Sequence, residues 1–155
     1  MKDESSDPWV ILGYESWMLE RSIQEKERLD RSIQDKERLQ VLNNALTESA
    51  VLHARVLCEL FANPEGKFAS DIVLSRLLPD WDWGQPKYDL LNGLLSELEE
   101  KYGQYHDAKS PYWAFNKMLA HATMDRSSEY DYTAALDSVL PLLRQILAEL
   151  QSKRP

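Results

Sequence analysis

The chain is poor in the residues that build disulfides, tight turns and metal centres. One cysteine, Cys58, occurs among 155 residues. It can form no intrachain disulfide and no thiolate cluster, which fits a reducing compartment. The 5 glycines and 7 prolines are too few for the many turns of an all-β fold. The 3 histidines, His53, His106 and His121, contain no close-spaced ligand pair, so no metal is expected. There is no glycine-rich phosphate loop and no Gly-x-Ser-x-Gly elbow, and no cofactor is expected either. No apolar run approaches the roughly eighteen residues of a membrane span. The opening "MKDESSDP" is acidic and polar, unlike a secretory leader, which predicts a cytoplasmic protein.

What the chain does have is ordinary soluble-domain composition: 43% hydrophobic and 28% charged residues. Its length suits one domain with a real core. Lys+Arg 18 against Asp+Glu 26 gives a formal charge of −8. Such a surface repels phosphate backbones at long range, although a local basic pocket remains compatible with it.

Residues 1–7 read as a disordered tail and 8–155 as a single helical-bundle domain. Pro8 suits a first helical turn, with Asp7 as its cap. The first helix then carries a tandem repeat, "RSIQEKERLD" at 21–30 and "RSIQDKERLQ" at 31–40, identical at eight of ten positions. Ten residues turn a helix by about 1000°, roughly 80° short of whole turns, so the copies cannot offer one neighbour the same face. Interleaved acids and bases predict a solvated, salt-bridge-laced helix, with a partner-binding arm as the alternative. Leu19, Ile23, Leu29 and Ile33 still share one broad stripe.

A second helix is expected over about 39–62. On it Leu42, Leu46, Val56, Leu57 and Leu60 fall on one face around His53. Asn44, Glu48, Val51 and Arg55 form an opposite stripe, in which the polar groups suggest a network. "NPEGK" at 63–67 ends this helix, and "SDIVLSRLL" at 70–78 is at most a short one, capped by Ser70 or Asp71. "PDWDWGQP" at 79–86 is a loop with Trp81 and Trp83 as anchors. A third helix covers about 87–102 and stops at Gly103, and His106 follows in a solvated loop. A fourth helix begins near Pro111, and a fifth is capped by Thr133 and should kink at Pro141. The fold class is therefore all-α, a four- to five-helix up-and-down bundle with a long charged N-terminal helix.

The fourth helix holds an unusual group. In "FNKMLAHATMDR" at 115–126, helical spacing puts Phe115, Met118, Leu119 and Ala122 on a core face. Lys117 and His121, four apart, lie on its flank, and Asn116 lies on a narrow stripe beside them. Arg126 follows near the helix end. The four polar residues are candidate catalytic or binding groups, or else a structural network with Glu48 and Arg55.

"NALTESAVLHARVL" (44–57) and "NKMLAHATMDR" (116–126) resemble the hallmark stretches of a group of bacterial all-helical proteins. That group in turn is similar to the HEPN superfamily of helical bundles. The resemblance implies a dimer, and in many HEPN members a metal-independent ribonuclease used in bacterial defence or toxin–antitoxin systems. Their motif is an arginine, four to six residues, then a histidine. His121 matches the histidine, but Asn116 stands at the arginine position, with Lys117 beside it. An amide supplies no charge for a scissile phosphate, and Lys117 is a point charge and not a bidentate fork. Two readings follow. The preferred one is a non-catalytic HEPN-like bundle acting by homodimerisation or protein-partner binding, with no membrane and no metal involved. The alternative is a ribonuclease acting on RNA, in which His121 moves the proton and Lys117, Arg55 or Arg126 surrounds the phosphate.

Overall fold

The computed structural model describes residues 7–29, 36–66, 72–104, 106–119 and 132–154. They form a helical bundle: α1 (Pro8–Leu29), α2 (Lys36–Ala62), the single-turn α3 (Leu74–Leu77), α4 (Asp89–Tyr102), α5 (Pro111–Leu119) and α6 (Tyr132–Ser152). Among the described residues there is no strand.

α1 and α2 form an antiparallel hairpin. The hydroxyls of Ser22 and Ser49 hydrogen-bond at 2.8 Å, and Glu15 meets His53 at 2.7 Å. Advancing along one helix therefore means retreating along the other. This arrangement corrects the expectation of one long helix holding the whole repeat. α1 ends at Leu29, inside the first copy, and the second copy runs into α2 from Lys36. Its Ile33 lies outside the described residues.

The capping chemistry is local and specific. The backbone N–H of Trp9 donates to Asp7 Oδ1 at 2.9 Å, as an N-cap aspartate requires. At α5 the Ser110 hydroxyl accepts from the N–H of Trp113 at 3.2 Å, directly before Pro111. α4 ends as its sequence predicts. Gly103 has a φ of +75°, and a β-carbon there would sit 2.6 Å from Ser110 Cβ. Only glycine satisfies both conditions. α3 departs from expectation, because Val73 precedes it and supplies no side-chain cap. Ser70 and Asp71 lie outside the described residues. Thr133 lies one residue inside α6 and so is not its cap, and α6 continues through Pro141, whose own position is exposed.

The core is where α2, α4 and α6 meet, with α5 and α1 packed on its flanks. α6 contributes Leu136, Val139, Leu140, Leu142, Leu143, Ile146 and Leu150, the period of an amphipathic helix. α4 answers with Leu91, Leu94, Leu95, Leu98 and Tyr102. In α2 the buried face is Ala50, Val51, Ala54, Leu57, Cys58 and Phe61. That face is rotated from the expected one. Val51, placed in the polar stripe, is wholly buried, whereas Val56 is 40% exposed. Small side chains at 50, 54 and 58 let neighbouring helices approach closely, and they turn the helix toward themselves.

The tryptophan loop is anchored by one of its two rings. Trp81 Nε1 donates to Oδ1 of the buried Asn92 at 2.9 Å, and Asn92 Nδ2 donates to the Trp83 carbonyl at 3.0 Å. Trp83 itself stays 43% exposed.

Candidate functional site

Among the polar side chains of α2 and α5, Arg55, Glu59 and Tyr112 line one cleft, while His53, Asn116 and Lys117 are held by other partners. His53 is buried, and its Nδ1 lies 2.7 Å from Glu15 Oε2 on α1. An ionised carboxylate can only accept, so the ring proton sits on Nδ1 in this contact. The Tyr14 ring packs nearly perpendicular to the imidazole, 6.0 Å away centroid to centroid. The pair ties α1 to α2 and leaves His53 with a structural partner.

Arg55 lies half-exposed on α2, where its Nε donates to Glu59 Oε1 at 2.7 Å, one turn along the same helix. Asn44 is exposed and Glu48 half-buried, both nearer the α2 N-terminus. On α5 the Asn116 amide donates to the Tyr112 carbonyl at 2.8 Å, within its own helix. The Lys117 ammonium lies 5.3 Å from the centroid of Trp113, in cation–π range. The expected partnership of Asn116 with Glu48 and Arg55 is thus replaced by a bond along α5. His121 and Arg126 lie outside the described residues.

α2 and α5 do lie side by side, and a cleft of about 420 Å³ opens between α1, α2 and α5. Leu12, Leu57, Leu60 and Ile72 give it an apolar wall, and Glu15, Arg55, Glu59 and Tyr112 a polar one. Behind the α2 wall, Tyr102 is buried to 1% exposure, and its hydroxyl makes no hydrogen bond. Burial pushes the Tyr102 phenol far up from its ordinary range, with Cys58 and Glu59 adding to the effect. Burial likewise raises the Cys58 thiol, and neighbouring Glu59 raises it further. Neither group is therefore a nucleophile near neutral pH. Among the described residues no group of three His, Cys, Asp or Glu side chains is arranged to hold a metal. No described helix is long and apolar enough to cross a membrane.

Sequence reasoning missed Glu15, Glu59 and Tyr112. Arg55 and Glu59 carry a readable signal, the i, i+4 spacing of a helical ion pair. Glu15 and His53 stand 38 residues apart, and no local pattern couples them.

No known protein family, curated protein or solved structure matches this chain. Its site must be read from its own geometry.

Proposed function

We propose that this chain is a non-catalytic, HEPN-like helical bundle of the cytoplasm that works by docking onto protein. The observation that carries this reading is the outer side of the α1–α2 hairpin. Val10, Tyr14 and Trp17 on α1 are 54%, 53% and 60% exposed, and Leu52 on α2 is 44% exposed, while Val56, 40% exposed, lines the cleft. A lone exposed apolar residue is ordinary, but several on one face mark an interaction surface.

The polar groups fit the same reading. A phosphate-cleaving site needs a cation poised beside its acid/base. At the motif's arginine position stands Asn116, whose amide already donates into α5. Arg55, the nearest guanidinium on α2, is engaged by Glu59.

The test is incubation of purified protein with structured RNA beside a His121→Ala variant. Intact RNA in both samples is expected. Cleavage by the parent that disappears in the variant overturns the docking reading in favour of a ribonuclease.

A further inference from the structure

We propose that the cleft between α1, α2 and α5 binds a small organic cation, an apolar body carrying a primary ammonium. The site is distinct from the exposed Val10, Tyr14 and Trp17, and its occupancy does not depend on whether protein docks there.

The cleft has a consistent layout. Its residues come in pairs four apart, each pair on one side of its helix: Ile11 and Glu15 on α1, and Arg55 with Glu59 and Val56 with Leu60 on α2. On α2 an apolar strip therefore runs beside a charged one. Val56 is exposed, and Ile11, Leu60 and Ile72 are half-buried. Apolar carbon is thus left in water, and a ligand seated in the cleft would cover it. The volume of about 420 Å³ falls within the range of small-molecule sites.

Charge selects the ligand. Among the described residues the lining holds two carboxylates, Glu15 and Glu59, and one guanidinium, Arg55, so one negative charge is in excess. Arg55 and Glu59 neutralise each other through Nε and Oε1. Glu15 is left over. Its side chain is only 16% exposed, and the hydrogen bond from His53 occupies Oε2. Oε1 has no hydrogen bond among the described residues. A largely buried carboxylate with one oxygen unsatisfied is costly beside apolar walls. An ammonium there offsets that cost, and it is screened less than a pair at the open surface. An anion would instead meet Glu15, Glu59 and a chain of net charge −8. With its ammonium on Glu15, the ligand has Val56, Leu60 and Ile72 for its apolar body to lie against.

The experiment is a two-dimensional NMR titration of the full chain with hexylamine hydrochloride at neutral pH. Amide resonances of the cleft residues should shift, with a Kd of about 1 mM or below, as suits a ligand of so few atoms. Butylamine should bind more weakly, by roughly fourfold for each methylene removed from contact. Hexanoate should leave the same resonances in place. Glu15→Gln keeps an oxygen acceptor for His53 and should weaken hexylamine binding about tenfold. Leu90→Lys, at an exposed position of α4 outside the cleft, changes the net charge by the same single unit. It should alter binding less than about twofold. Val56→Lys sets a cation in the cleft from an exposed position, and should weaken binding with an unchanged circular dichroism spectrum. Arg55→Gln removes the competing cation and should tighten it.

Cleft resonances that stay in place up to about 10 mM hexylamine overturn the inference. So does binding that falls equally in Glu15→Gln and Leu90→Lys, the mark of general attraction to an acidic surface. Hexanoate binding that is lost in Arg55→Gln overturns it as well, and assigns the cleft to carboxylates.

Discussion

α6 and α1 are nearly equal in length, 21 and 22 residues, and treat their apolar side chains differently. α6 buries seven of them, from Leu136 to Leu150, against α2, α4 and α5. α1 fully buries only Leu12, Leu19 and Ser22, and holds Val10, Tyr14 and Trp17 in solvent. Beyond Ser22 on α1, and before Ala50 on α2, no described side chain of the hairpin is fully buried. One helix completes its packing inside the chain. The other leaves part of its apolar surface exposed.

Substitutions can break or sharpen this contrast. The largest effect belongs to the closed side. Leu57, fully buried on α2, should cost about 2–5 kcal/mol when cut to alanine, read as a shift in the urea midpoint. An unchanged midpoint would mean that the core does not lie where the buried residues place it. Next comes the bond joining the two sides. Glu15→Ala leaves the His53 donor buried without its partner, which should cost about 1–3 kcal/mol. A second change, His53→Leu, should return much of that loss, and a strictly additive double variant would show that the pair is not coupled.

A third effect is alkaline. Burial raises the Cys58 thiol, so the folded state disfavours the thiolate that the unfolded chain forms freely. Stability from this group is fully present below the thiol's ordinary pKa of about 8.5 and falls as pH rises through it. One pH unit above that value the loss should be about 1.4 kcal/mol. A urea midpoint that holds constant from neutrality to pH about 10 would contradict it. The smallest effect belongs to the open side. Trp17→Ala should change the stability of dilute protein by less than about 0.5 kcal/mol. A larger loss would show that Trp17 is part of the core and would erase the contrast.

The architecture was readable where periodicity is strong. α4 ends at Gly103 and α5 starts at Pro111 as the sequence predicts, and Leu57 faces the core. The rotation of α2 was not readable. Pattern reading weights large side chains, so Val56 looked more buried than Ala50, Ala54 or Cys58. Close helix packing favours the small ones. The break between the repeat copies was hidden for a different reason: 21–40 is uniformly helix-forming and contains no glycine or proline. The tertiary bonds Glu15–His53 and Ser22–Ser49 reveal the reversal. Of the candidate site, the i, i+4 partner of Arg55 was within reach of sequence. The true partner of His53 was not, because hydrogen bonds between distant segments leave no spacing signature.

The reversal also changes what the duplication does. Had both copies lain on one rod, a further copy would displace everything after it. Because α1 ends inside the first copy and α2 takes up the second from Lys36, ten added residues shared between the two arms would lengthen each by about five, roughly 7.5 Å of helix. The bundle base and the apolar strip near Tyr14 would stay where they are. The duplicated stretch thus lies along both arms of the hairpin, in the part where, beyond Ser22, no described side chain is fully buried.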